Sequence, residues 1–140
     1  MENGRFRVVI VEDNEADVFL IQTMLEDARL PVDLQVCSDG AGVLELIDNI
    51  DIGKARSPDL LLLDLNLPRY SGEEILTRFR QSGNCALAPV IIITSSDSPR
   101  DRERAAALNA IYFRKPADFE EFMKLGEIIH NVLAAGPRSE

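Results

Sequence analysis

Four apolar runs in this sequence stop at, or just short of, residues with chemistry to offer. RVVIV (7–11) stops at Glu12 and Asp13, DLLLL (59–63) at Asp64, and PVIII (89–93) at Thr94, while Lys115 stands just beyond AIYF (110–113). An ionised carboxylate is not expected at the end of four leucines unless something compensates it. Three carboxylates brought into one small pocket repel, at 4 Å and an effective dielectric of about 20, by on the order of 4 kcal/mol per pair. Lys115 brings one positive charge. A divalent cation brings two, and oxygen-only ligands suit Mg²⁺, a hard ion that keeps several waters. A backbone carbonyl near Asn66 and a phosphate are available to complete such a ligand set. Next to a cation and an ammonium, Asp64 can attack a phosphoryl group and form an acyl phosphate. The Thr94 hydroxyl can then donate to the bound phosphoryl oxygens.

These residues act together only if the fold brings them together. RVVIV, DLLLL and PVIII read as buried strands, with weaker strands at DLQVC (33–37) and AIYF. Asp13 or Asn14 caps a first helix that carries Ile21, Met24, Leu25 and Ala28 on one face and closes at Pro31. A second helix carries Val43, Leu44, Ile47 and Ile50. A third opens at Ser71-Gly72-Glu73 and carries Ile75, Leu76 and Phe79. Ser98-Pro99 starts a fourth, RDRERAAAL (100–108), and the last begins near Asp118 and buries Phe122, Leu125, Ile129 and Val132. DIGKARSP (51–58) and QSGNCAL (81–87) are connectors. Strand and helix alternate five times, which implies an α/β domain with a parallel sheet covered on both faces. Every strand's carboxyl end then points to one rim, where ligands bind in such sheets. Glu12, Asp13, Asp64, Thr94 and Lys115 all fall on that rim.

Composition narrows the alternatives. The chain has 140 residues, 46% hydrophobic and 28% charged, with a formal charge of −9. That length fits one core. The acidic balance speaks against a nucleic-acid-binding surface. No apolar run approaches a membrane span or a secretory signal, so the chain reads as cytoplasmic. Cys37 and Cys85 read as buried thiols, and one histidine with two distant cysteines cannot build a usual zinc site. His130 reads as a surface residue. The charges of 100–108 read as a solvated helix with internal ion pairs, with a kinase-contact surface as the alternative. No GxGxxG or GxxxxGK[ST] follows the first strand, which disfavours a nucleotide-binding domain. A phosphohydrolase with an aspartyl intermediate would want an acid two residues after Asp64, where Asn66 stands.

VIVEDN (9–14), LLLLDLNLPRYSG (60–72), IIITSS (91–96) and YFRKP (112–116) follow one another in order. In these fragments the chain resembles the receiver domain of bacterial two-component response regulators, over about residues 6–134. VEDNEAD, the longer loop before Ser57-Pro58, and DLNLP resemble the single-domain regulators that serve phytochrome-type histidine kinases. The resemblance implies a flavodoxin-like (βα)5 doubly wound sheet of order 2-1-3-4-5, and one receiver domain over 1–140 with no output domain. It implies that Asp64 accepts phosphate from a sensor histidine kinase, and that Mg²⁺ or Mn²⁺ is held by Glu12, Asp13, Asp64 and the Asn66 carbonyl. It makes Thr94 the switch hydroxyl, Lys115 the phosphoryl partner, and Tyr112 the aromatic that changes rotamer, with static packing as the alternative reading of Tyr112. It also implies a cis peptide before Pro116, and roles for Asn66 and Ser96 in dephosphorylation. The family catalyses only its own phosphorylation and slow dephosphorylation. Expected partners are the kinase and a downstream protein, with a homodimer through the fourth-helix to fifth-helix face as a further expectation. The competing reading is a receiver-like binding module that works without phosphorylation.

Overall fold

The structure, a computed structural model, describes residues 4–136. Five strands, β1 (Phe6–Val11), β2 (Val32–Cys37), β3 (Leu60–Leu63), β4 (Val90–Thr94) and β5 (Ile111–Arg114), form one parallel sheet of order β2-β1-β3-β4-β5. The helices are α1 (Glu15–Asp27), α2 (Gly40–Asp51), α3 (Gly72–Gln81), α4 (Pro99–Ala107), α5 (Phe119–Met123) and α6 (Leu125–Ala135).

The four leucines of β3 are explained by its central place. Leu60 and Leu62 pack with Val8, Ile10, Ile21, Met24, Leu125 and Ile129 on one side of the sheet. Leu61 and Leu63 pack with Val9, Val11, Ile47, Ile75, Phe79 and Ile92 on the other. A strand buried on both faces cannot alternate apolar with polar. Each such leucine stabilises the fold by roughly 1.5–3 kcal/mol.

Five helix N-termini carry a side-chain cap. Asn14, Asp39, Ser71, Ser98 and Asp118 accept from the backbone N–H of Asp17, Gly42, Glu74, Asp101 and Glu120. Of the two candidates before α1, Asn14 is therefore the cap. Pro99 takes the first position of α4, where its missing N–H is harmless.

Three expectations are corrected. Helix α1 ends at Asp27, so Ala28, expected on its apolar face, is instead its exposed C-cap; Arg29 turns left-handed at φ 55°, and Pro31, which disfavours the helical region for Leu30, closes the element as expected. The last helix is two helices that meet at Lys124, and its buried stripe runs Leu125, Ile129, Leu133, each four residues on, leaving Val132 half-buried. The charges of α4 pair outward: Arg102 with Asp97 and Arg104 with Glu73 of α3. Helix α4 buries only Ala105. Cys37 and Cys85 are buried and free, and His130 is exposed. No helix among the described residues is long and apolar enough to cross a membrane.

Candidate functional site

The sheet's hydrogen bonds run one residue past three strands and so fix the backbone just beyond them. The N–H of Glu12 donates to Cys37 O at 3.0 Å, that of Asp64 to Val11 O at 3.0 Å, and that of Lys115 to Thr94 O at 2.7 Å. The loop after β3 is held just as closely. A Cβ on Gly72 would lie 2.5 Å from Leu65 Cα and 2.7 Å from Asp64 O, so only glycine lets α3 start there.

On this rim the carboxylates of Glu12, Asp13 and Asp64 converge, with one oxygen from each within 4.8 Å of the others. Glu12 and Asp64 are only 3% and 6% exposed, while Asp13 faces solvent. Backbone N–H groups hold the two buried acids: Asn14 donates to Glu12 Oε2 at 3.2 Å, and Asn66 to Asp64 Oδ1 at 2.9 Å. Lys115 Nζ donates to Glu12 Oε1 at 2.6 Å and to Asp17 Oδ2 at 2.7 Å, and lies 3.5 Å from Asp64 Oδ2. Three carboxylates thus meet one ammonium, with that of Asp13 alongside.

The charge states reflect this crowding. Burial, and next the adjacent Asp64, push the Glu12 carboxyl from 4.5 up to about 7, with Lys115 pulling the other way. For Lys115, burial works against the charge, but the bonds from Asp17 and Glu12 outweigh it and raise its pKa, so it stays an ammonium. The donors are oxygens only, they carry excess negative charge, and one side is open to water. That set fits a hard divalent cation.

Thr94 is fully buried. Its Oγ1 accepts from Asn66 Nδ2 at 3.2 Å and from the N–H of Ser96 at 3.2 Å. Ser96 Oγ donates to Asp101 Oδ2 at 2.7 Å, and its carbonyl accepts from the Tyr112 hydroxyl at 2.8 Å. The Tyr112 ring is half-buried, with the Arg102 guanidinium 4.5 Å from its centroid. Tyr112 is therefore tied to the β4–α4 loop through its hydroxyl, and Phe113 beside it is likewise half-buried.

The rim brings together Glu12, Asp13, Asp64 and Lys115, with Asn66 and Thr94 adjoining them. Two points differ from the expectations set by the sequence. The peptide before Pro116 is trans, since no cis bond occurs among the described residues; an X–Pro bond favours trans by about 0.5–1 kcal/mol, and Lys115 reaches its partners with that isomer in place. Asp17, absent from the residues singled out by sequence, is a direct partner of Lys115. Its spacing is a usable signal: it lies four residues after Asp13, on the first turn of a helix that starts at this rim.

A family model described as the response regulator receiver domain matches residues 8–126. Probable methanogenesis regulatory protein FilR2 of Methanothrix harundinacea (strain 6Ac) is 31% identical over 125 residues, which span 89% of this chain and 81% of that protein. Response regulator Rcp1 of Synechocystis sp. is 28% identical over 120 residues, 84% of this chain and 82% of Rcp1. The Mn(2+)-bound form of Rcp1 superposes with a TM-score of 0.81 at 26% identity, covering 90% of this chain and 92% of that one. The phosphorylated cyanobacterial phytochrome response regulator RcpA gives 0.83 at 27% identity, covering 94% and 95%.

Proposed function

Since the chain belongs to the response regulator receiver domain family, we propose that Asp64 takes a phosphoryl group from the phosphohistidine of a sensor histidine kinase and that the change is read on a protein-contact surface. The observation that carries this reading is the convergence of Glu12, Asp13 and Asp64 within 4.8 Å, with the Lys115 ammonium 3.5 Å from Asp64. Likeness to Rcp1 and to the phytochrome response regulator RcpA supports a phytochrome-type kinase as the donor.

Glu12, Asp13 and Asp64, with the Asn66 carbonyl, would hold a Mg²⁺ or Mn²⁺ ion. Such an ion neutralises charge on the transferring oxygens. The chain's own residues do the rest. An Asp64 carboxylate oxygen attacks phosphorus, the P–N bond to the donor histidine breaks, and the imidazole keeps the electron pair. The Asn66 N–H, bonded to Asp64 Oδ1, holds the carboxylate so that its other oxygen faces Lys115. The ammonium balances the charge added to Asp64.

Thr94 and Tyr112 carry the output. The phosphoryl oxygens attract the Thr94 hydroxyl, whose oxygen now accepts from Asn66 and Ser96. Ser96 moves with it, and the Ser96 carbonyl is the anchor of the Tyr112 hydroxyl. Helix α4 responds most readily, because it has a single buried residue to hold it. A shift from 1:99 to 99:1 between the two forms requires phosphorylation to favour the active form by about 5.5 kcal/mol. By the family resemblance, Asn66 and Ser96 set the lifetime of the phosphoryl group.

Acetyl phosphate provides the test. Wild type should take up one phosphate only with Mg²⁺ present, detected as a mass increase or on Phos-tag gels, and Asp64→Asn should take up none. Equal uptake by both would overturn the assignment. No uptake by either would favour a receiver-like binding module that works without phosphate.

A further inference from the structure

Lys115 is bound more tightly to an acid outside the metal cluster than to the acid it is meant to serve. Its Nζ lies 2.7 Å from Asp17 Oδ2, a normal charge-assisted bond, and 3.5 Å from Asp64 Oδ2, too long for one. Glu12, at 2.6 Å, takes a second donor. The pair is sheltered: the Lys115 and Asp17 side chains are 15% and 20% exposed.

Asp17 is held in place for this contact. Its N–H donates to the Asn14 cap at 3.1 Å, which fixes the first turn of α1. Favouring the N-terminal end of the helix dipole does not by itself account for the residue, because Glu15 stands in the same turn, exposed, and can do that. Asp17 also lies outside the carboxylate group placed to hold a cation.

We propose that Asp17 is a positioning residue: it holds Lys115 back from Asp64 in the resting protein and competes with the incoming phosphoryl group for the ammonium. This rests on the assignment of Asp64 as the acceptor. Whatever the phosphoryl oxygens gain from Lys115 is reduced by the cost of breaking the Asp17 bond. Asp17 thereby weakens the phosphorylated state and shortens its life.

The test uses beryllofluoride, a phosphoryl mimic, at saturating Mg²⁺, so that a change in cation affinity does not enter. Binding is measured by calorimetry or by fluorine NMR on wild type, Asp17→Asn, Asp17→Glu, Glu15→Gln and Asp64→Asn. Asp17→Asn removes the charge but keeps an acceptor and the helix start. It should bind beryllofluoride roughly three- to tenfold more tightly than wild type, the scale of one net intramolecular hydrogen bond, and its acetyl-phosphate-labelled form should lose phosphate more slowly. Asp17→Glu, which restores the charge, and Glu15→Gln, which removes a charge that does not touch Lys115, should both stay near wild type. Equal or weaker binding by Asp17→Asn overturns the proposal. So does an equal gain in Glu15→Gln, which would mean a general charge effect. If wild type itself fails to bind beryllofluoride, or Asp64→Asn binds it as well, the acceptor assignment has failed, and the role of Asp17 falls with it.

Discussion

Removing divalent metal should make the protein less stable as pH rises from about 5 to about 7, and Glu12 is the cause. Its carboxyl has an ordinary value of 4.5 and is pushed up to about 7 in the folded protein, by burial first and Asp64 second. Between those values the folded state holds a proton that the unfolded state has lost. The slope of unfolding free energy with pH is then negative. The favourable term is complete below the unfolded value and is lost as pH rises through the folded one. At 1.36 kcal/mol per pKa step the full loss, from well below 4.5 to well above 7, is about 3 kcal/mol, of which about 2 kcal/mol falls between pH 5 and 7. For a chain of 140 residues, with an unfolding entropy of about 2.1 cal/mol/K per residue, the part lost between pH 5 and 7 is a fall in Tm of about 7 °C.

Other shifted groups do not contribute in this window. The Lys115 pKa is raised, so its contribution is complete below 10.5 and constant from pH 5 to 8. Asp51 and Asp97 are held below 3.8, by the Ser82 hydrogen bond and the Arg102 hydrogen bond respectively, and their contributions are complete above that value and lost only as pH falls below it. The assay is thermal unfolding at half-unit pH steps, in EDTA and in excess Mg²⁺. Mg²⁺ should abolish the decline and raise Tm most at pH 7.5, because the cation favours the ionised carboxylates. Glu12→Gln in EDTA should be flat across the window. A metal-free protein with the same Tm at pH 5.5 and 7.5, or a Glu12→Gln variant with the wild-type slope, would refute the reasoning.

Two further substitutions probe the frame and the output. Arg80 donates to the carbonyls of Leu108, Ala86, Ala88 and Asn109, tying α3 to the loops before β4 and β5; Arg80→Ala should cost roughly 2–4 kcal/mol by urea unfolding, because several carbonyls lose a charged donor together. Tyr112→Phe removes only the bond to the Ser96 carbonyl; it should change stability by about 1 kcal/mol or less and speed labelling by acetyl phosphate, since the β4–α4 loop is then free to close on the phosphoryl group.

The rim is legible in the sequence because strand ends in a parallel sheet need no side-chain detail. A run such as LLLL can be satisfied only between two helical layers, and the residue after it must emerge at the edge. Glu12, Asp64, Thr94 and Lys115 are therefore placeable from order alone. Side-chain choices are less legible. Sequence order assigns Lys115 to Asp64, yet with a long flexible stem it takes the two nearest carboxylates, and Asp17 is one of them. The charges on α4 suggest internal pairs because spacing along a helix is visible and neighbours across the fold are not; Arg104 in fact reaches Glu73 on α3. The break at Lys124 is hidden for a related reason. Phe122, Leu125 and Ile129 keep helical spacing across it, so periodicity alone cannot show that one helix ends and another begins there.

A single charge change at Asp64 has two routes outward, and they leave from different atoms. Oδ1 accepts from the Asn66 N–H, and the Asn66 side chain donates to Thr94, which adjoins Ser96 and so Tyr112 and Asp101 of α4. Oδ2 faces Lys115, which is bonded to Glu12 and to Asp17 of α1. The first route is made of hydrogen bonds without a cationic partner and ends on α4, which has a single buried residue, Ala105. The second is made of ion pairs and ends on a helix anchored by Ile21, Met24 and Leu25. A displacement is therefore expressed along the first route, where movement costs little. The second resists movement and sets how much free energy phosphorylation must supply before the first can respond. If the proposed roles hold, output and threshold rest on different residues and can be altered separately: substitutions at Tyr112 or Arg102 should change what α4 does, and at Asp17 how readily it does it.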